Sequence, residues 1–181
     1  MFSIDLGGGA ELRPLEPWRA EEFLAHMERA RDHIKPWVGA SFIAYDLDGA
    51  RAVLQRYADS RAKDAGGIWG IWDGGELVGG VLLVSFDAAV GTCEAGCWLQ
   101  PGAQGKGLIT RAATVLLDWV FLARGLSRAE WHTNADNERS VAVARRLGMS
   151  LDGTLRQAFP TPTGRADLQI WAVLRDEWKA R

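Results

Sequence analysis

Apolar and polar residues alternate along two short stretches near the N-terminus, 2–6 and 10–15. The intervening Gly7-Gly8-Gly9 makes the pair read as a hairpin. From 17 to 34 the apolar spacing changes to that of a helix, with Phe23, Leu24 and Met27 on one face. Lys35-Pro36-Trp37 ends it, because the residue before proline disfavours helical backbone. A second helix is predicted over 48–63, with Val53, Leu54, Tyr57 and Ala58 facing inward and Gly66-Gly67 closing it. Three strands follow at 68–73, 76–86 and 92–99, and Asp73-Gly74-Gly75 supplies a tight turn between the first two. Residues 106–123 read as a helix with the stripe Leu108, Ala112, Val115, Leu116, Trp119 and Val120, closed at Arg124-Gly125. A strand at 128–133 leads to a short helix that Asn137 caps and Gly148 stops after Leu147. Strands at 149–158 and 165–175 form a hairpin around Pro160-Thr161-Pro162-Thr163-Gly164. This order predicts an α/β fold, a mixed sheet with helices on its faces. With no repeat and no long linker, residues 1–181 read as a single domain.

Composition narrows the picture modestly. A length of 181 residues with 48% hydrophobic and 24% charged residues is enough for one sizeable core. A net charge of -2 implies no broad basic surface, so nucleic acid is not an expected partner. Nine Trp are many for this length; most are expected in the core and some along a cleft. Cys93 and Cys97 lie four apart in one strand, on the same face but too far apart to bridge, so they read as reduced thiols. No further Cys exists to build a metal cluster, and no metal is expected. The first residues lack the basic and apolar regions of a signal peptide, and no apolar run approaches the roughly 18 residues of a membrane span. A cytoplasmic location is the expectation.

The candidate chemistry centres on Gln104-Gly105-Lys106-Gly107-Leu108, which joins a predicted strand to a predicted helix. Glycines let backbone approach a ligand, and a helix start leaves N–H groups outward with the positive end of its dipole. That combination binds anions, and Lys106 adds a full charge. A phosphate loop of the P-loop type needs Ser or Thr after the lysine, where Gly107 stands. A dinucleotide fingerprint needs a third glycine, where Thr110 stands. A structural turn without ligand is the remaining plain reading.

Leu99-x-Pro101-x-x-Gln104-Gly105-Lys106-Gly107-Leu108 resembles the acyl-CoA-binding motif of the GNAT acetyltransferases. The stretch Asn137-Glu138-Arg139-Ser140-Val141-Ala142-Val143-Ala144-Arg145-Arg146-Leu147-Gly148-Met149 is similar to the family's second signature. His33-Ile34-Lys35-Pro36-Trp37 and the end, Ile170-Trp171-Ala172-Val173-Leu174-Arg175-Asp176-Glu177-Trp178, resemble the RimJ/RimL branch, which acetylates protein N-terminal amines. Two positions depart from the family pattern. Ile109 stands where Gly or Ala is frequent, and Ala144 where many members carry a Tyr general acid. Ser140 is the best hydroxyl left on that helix.

The resemblance implies a GNAT fold with a mixed, mostly antiparallel sheet and helices on both faces. It also implies acetyl-CoA as co-substrate, with direct transfer to a primary amine. A protein N-terminal α-amine is the favoured acceptor. A small-molecule amine, another short acyl group, or a CoA-binding module without chemistry are the alternatives, and a homodimer is allowed. The strand ending at Leu99 would splay from the strand at 128–133, so that pantetheine pairs with backbone near Trp98 and Leu99. One N–H there would polarise the thioester. Gln104, Gly105, Lys106, Gly107, Leu108, Ile109 and Thr110 would hold the pyrophosphate, and Arg111 would reach a terminal phosphate. Asn137 would cap its helix, contact the pantetheine arm, or both. Ser140 would protonate the leaving thiolate. An α-amine of pKa about 7.7 costs roughly 1 kcal/mol to deprotonate at neutral pH, and a lysine at about 10.4 roughly 4.6 kcal/mol, so an α-amine needs little help. Glu94 is the first candidate base, followed by Asp167 and His132. Trp37 and Phe159 would wall the acceptor pocket.

Overall fold

The computed structural model describes residues 3–161 and 164–180. Phe2 of the predicted first strand, and Pro162 and Thr163 of the predicted last turn, lie outside the described residues. The strands are β1 (Ile4–Gly7), β2 (Ala10–Pro14), β3 (Gly67–Asp73), β4 (Glu76–Asp87), β5 (Thr92–Leu99), β6 (Arg128–Asn134), β7 (Ser150–Thr161) and β8 (Gly164–Leu174). The α-helices are α1 (Ala20–Ile34), α2 (Leu47–Ala62), α3 (Leu108–Asp118), α4 (Glu138–Arg146) and α5 (Arg175–Lys179). The strands form one eight-stranded sheet in the order β1-β2-β3-β4-β5-β6-β8-β7. Every pairing is antiparallel except β5 with β6.

Helices cover both faces, as expected. On one side Phe23, Met27, Phe42 and Leu54 of the α1–α2 layer pack on Ile68, Trp72, Leu82 and Trp98. On the other, Ala112, Leu116, Val120, Ala144 and Leu147 pack on Val81, Ala95, Trp131 and Trp171. Five of the nine Trp are buried, while Trp18 stays exposed. Asp46 caps α2, its Oδ1 accepting from the Gly49 N–H at 2.7 Å. No helix is long and apolar enough to cross a membrane, among the described residues.

Several elements differ from their predicted extent; α1 starts at Ala20, three residues late, and β7 runs on to Thr161. The third helix begins at Leu108, two residues later than expected, because Gly107 adopts a left-handed φ of 70° that an α-helix does not continue. Its last turn widens, with Arg124 N–H bonding Trp119 O at 3.0 Å, five residues back. The predicted last strand gives way at Arg175 to the one-turn α5, whose Trp178 indole donates to Asp118 at 2.8 Å. Periodicity over five residues cannot announce such a helix.

Candidate active site

β5 and β6 pair only from Thr92/Arg128 to Ala95/Trp131. Beyond that point β5 stays on β4 as far as Leu99, and β6 stays on β8 as far as Asn134. The two strands therefore diverge and expose main chain on the inner edge of β5. Gln100 N–H bonds Val78 O at 2.9 Å. Alternation along an antiparallel ladder then commits the Trp98 amide to β4 and turns those of Cys97 and Leu99 into the opening. Of the two residues expected to offer backbone here, Leu99 turns its amide into the opening and Trp98 turns its amide to β4; the Cys97 amide also faces the opening. The Trp98 side chain is buried, its indole donating to His26 Nε2 at 3.0 Å. β4 can approach this segment closely because an added Cβ at Gly79 would lie 2.4 Å from Trp98 O.

After β5 a tight turn at Pro101–Ala103 leads into the glycine loop, where Gly105 has φ 78° and Gly107 φ 70°. No side chain caps α3. Its first main-chain bond is Arg111 N–H to Gly107 O at 3.1 Å, so the amides of Leu108, Ile109 and Thr110 precede the helical ladder. Lys106 does not aim its charge at this nest: Nζ pairs with Asp73 Oδ2 at 2.7 Å, at the end of β3. Arg111 folds back on the loop, Nη1 donating to Lys106 O at 2.9 Å. Gln104 Nε2 meets His33 Nε2 at 2.7 Å and so fastens the end of α1 to the loop. Burial, and then the nearby Arg139, hold the His33 imidazole below its ordinary pKa, which suits a neutral acceptor ring. Ile109 is buried in the core at the foot of the loop.

A cavity of about 1210 Å³ runs from the loop through the opening to the far side of the sheet. That exceeds the roughly 300–1,000 Å³ of sites for drug-sized ligands and leaves room for a long co-substrate and an acceptor. Asn137 and Ser140 stand on the α4 side of it. Asn137 Oδ1 accepts from Ser140 N–H at 3.2 Å, so the capping reading holds; the side-chain NH₂ is the group left for a ligand. Ser140 Oγ accepts from the Trp131 indole at 2.9 Å, which orients the hydroxyl with its own proton still to donate.

Glu94 and His132 line the opposite wall. Burial raises the Glu94 carboxyl above the ordinary range, His132 opposes this, and Glu130 adds to it. His132 Nδ1 lies 3.6 Å from Glu94 Oε2. Asp167 is used elsewhere: its Oδ1 accepts from Gln157 N–H at 2.8 Å, in a β7 bulge where Gln157 has φ 53°. Trp37 and Phe159 both line the cavity. Cys93 and Cys97 are free thiols, and burial pushes each up to about 12. Among the described residues no group of three or more His, Cys, Asp or Glu is placed to hold a metal ion.

Comparison with known proteins gives the same picture. "Putative ribosomal N-acetyltransferase YdaF" of Bacillus subtilis (strain 168) is 26% identical over 184 residues, covering 99% of this chain and 98% of that protein. Spermidine N(1)-acetyltransferase of Escherichia coli (strain K12) is 34% identical over 85 residues, 47% of this chain and 46% of that one. The structure of RimL, the ribosomal L7/L12 alpha-N-protein acetyltransferase, in complex with coenzyme A superposes with a TM-score of 0.90 over 97% of this chain and 99% of that chain. Its sequence identity is 18%, so the likeness is one of fold. The model of the acetyltransferase (GNAT) domain matches residues 10–150. Diverging strands, a glycine loop opening a helix and this match have one reading: the chain belongs to the GNAT family and is an acetyl-CoA-dependent N-acetyltransferase.

Proposed function

We propose that the chain, as one domain over residues 1–181, transfers the acetyl group of acetyl-CoA to the N-terminal α-amine of a protein by direct attack. The observation that carries this reading is the divergence of β5 and β6 beyond Ala95 and Trp131. It leaves the Cys97 and Leu99 main chain between a carboxylate, Glu94, and a hydroxyl, Ser140. In this reading the amides of Leu108, Ile109 and Thr110 hold the pyrophosphate, together with the Gln104–Gly107 backbone. Pantetheine pairs with the inner edge of β5, and the Leu99 or Cys97 N–H polarises the thioester carbonyl. The acceptor ammonium gives one proton to Glu94, and its nitrogen attacks the carbonyl carbon. The carbon–sulfur bond breaks, the nitrogen gives up its second proton to solvent, and Ser140 gives its proton to the departing thiolate and regains one from solvent.

The α-amine is favoured over a polyamine because its proton is cheaper to remove, by roughly 3.6 kcal/mol at the reference pKa values. The names of YdaF and RimL support a ribosomal-protein acceptor, and such an acceptor would place the enzyme in the cytoplasm. The local identity to spermidine N(1)-acetyltransferase supports the second reading, a small-molecule amine.

Release of free CoA with a panel of short peptides, the same peptides N-acetylated, and spermidine tests the proposal. Free-amine peptides are expected to exceed spermidine at least about tenfold in kcat/KM, and blocked peptides to be inert. Preference for spermidine overturns the acceptor assignment. CoA binding without turnover on any amine overturns the enzymatic reading in favour of a binding module. Ser140→Ala is expected to lower kcat about 10- to 100-fold, within the range for a lost general acid. CoA affinity by calorimetry should change less than about threefold. Unchanged kcat would remove the acid role.

A further inference from the structure

β6 alternates strictly. Ala129 and Trp131 are buried under α3 and α4, while Arg128, Glu130 and His132 project, half-buried, from the opposite face. The α1–α2 layer packs on β3, β4 and β5 and does not extend over β6. The three polar side chains therefore form a row that starts in the cavity and runs out along an uncovered stretch of sheet. Short contacts join His132, Glu130, Arg128 and Asp152, and a longer one, at ion-pair distance, joins His132 to Glu94. His132 Nδ1 faces Glu94 Oε2 at 3.6 Å, and His132 Nε2 meets Glu130 Oε2 at 2.7 Å. Glu130 Oε1 accepts from Arg128 Nε at 2.7 Å, and Arg128 Nη2 pairs with Asp152 Oδ2 of β7 at 2.7 Å.

We propose that this row is a proton relay. His132 receives through Nδ1 the proton that Glu94 takes from the acceptor amine, and Glu130, held by Arg128, which Asp152 holds in turn, is the positioning residue that fixes the ring. The inference rests on Glu94 being the base. The chemistry of each contact gives each group its task. Arg128 is permanently charged and keeps Glu130 ionised, well placed to accept from Nε2–H. With the proton of the neutral ring on Nε2, the lone pair of Nδ1 points at Glu94. Once Glu94 has taken the amine's proton, its carboxylic O–H donates to Nδ1 and Glu94 returns to carboxylate. The imidazolium that forms lies between two carboxylates, and the half-exposed ring returns the proton to solvent. No other reactant is consumed. The second carboxylate orients the ring and stabilises its charged form, the part that the aspartate has in a Ser-His-Asp triad.

Few other titratable groups face this row. Tyr57 of α2 lies near Glu94 and is itself pushed up by burial, with Arg56 beside it. Cys93, one residue before Glu94, is pushed up to about 12 and stays a thiol. The β8 residues paired with His132 and Glu130 are Ile170 and Ala172, which do not titrate.

Free-CoA release with the fastest amine of the acceptor panel, measured from pH 6 to 9, tests the relay. His132→Gln is expected to lower kcat about 10- to 100-fold and alter the acid limb of the pH–rate profile, with KM for acetyl-CoA changing less than about threefold. Glu130→Gln should move the acid limb to lower pH, because Glu94 loses a neighbouring carboxylate that raises it, and Glu130→Asp should restore part of the wild-type profile. Because Glu130 also raises Glu94 directly, the coupling of the two side chains is the deciding readout: the kcat deficit of Glu130→Gln should shrink below about twofold in a His132→Gln background, and a deficit that persists there in full overturns the proposal. His132→Gln within twofold of wild type, alongside a Glu94→Gln variant that has lost at least about 100-fold, overturns the relay and leaves Glu94 as base. Both variants within twofold overturn the relay together with the Glu94 reading. Should His132→Gln lose its far-ultraviolet circular dichroism, His132→Asn takes its place in each of these comparisons.

Discussion

Replacing Glu94 by Gln is expected to lower kcat about 100-fold at pH 7, a loss of about 2.7 kcal/mol of transition-state stabilisation. Gln keeps the shape and a carbonyl oxygen but cannot take a proton. The site fits a base by its surroundings as well as its place. Burial is the largest influence on Glu94 and raises its pKa, His132 opposes it, and Glu130 reinforces it. A carboxylate poised above the ordinary range is the better proton acceptor. The same shift sets the sign of the pH dependence. Activity requires the ionised form, so kcat/KM should fall as pH drops through a value above that of an ordinary glutamate. The size of the Glu94→Gln deficit should depend on the acceptor. At pH 9 an α-amine of pKa about 7.7 is almost wholly neutral, and the deficit should shrink below about tenfold; for a lysine-like amine at about 10.4 it should persist. Free-thiol release across pH 6–9 with an N-terminal peptide and with a lysine side-chain amine measures both. A Glu94→Gln enzyme within twofold of wild type throughout would exclude the carboxylate as base.

The parts of this molecule carried by periodicity were readable from the chain alone. The helical stripe after Gly107, the tight turn at Gly74-Gly75 and the alternating strands repeat a pattern long enough to stand above chance. The splay of β5 from β6 came only through the family resemblance. A parallel pairing that stops at Ala95 leaves no mark in local composition, because Gly96–Leu99 still pairs with β4 on its other side. Side-chain destinations were the least readable. Lys106 sits in an anion-binding motif, yet Asp73 takes its charge from another turn of the sheet, a partner 33 residues away. Asp167, the next candidate base after Glu94, gave no sign in sequence that a β7 bulge would bring the Gln157 amide onto its oxygen. The row Arg128, Glu130, His132 was visible as alternation with Ala129 and Trp131. Its connection to Glu94 needed the β5–β6 register, which sets Glu94 opposite Glu130. Strand alternation, followed across that register, is the signal that would have joined them.

The same loop offers a second large effect, one that separates charge from shape. Gly107→Asp is expected to weaken coenzyme A about 100-fold or more, and Gly107→Asn only about tenfold. Both residues tolerate the left-handed backbone that Gly107 holds at φ 70° better than other side chains do. An added Cβ would meet only Arg111 Nη1, at 3.1 Å, the movable end of a long side chain. Folding should therefore suffer little, and both side chains have the chemistry of a helix cap. The consequence for an anion is different. In either variant the side-chain oxygen would accept from the first-turn amides that the diphosphate needs. With Asp a unit negative charge also comes within several ångströms of it, where a pair interaction is worth about 4 kcal/mol at an effective dielectric of 20. Arg111 would turn to the new carboxylate and leave the loop less positive still. The excess loss of Asp over Asn should shrink as salt is raised, since screening acts on charge and leaves shape alone. Calorimetric titration of the two variants with CoA at low and high ionic strength reads both effects. Equal affinities for the two, or wild-type affinity in Gly107→Asp, would place the diphosphate away from this helix start, whatever the loop resembles.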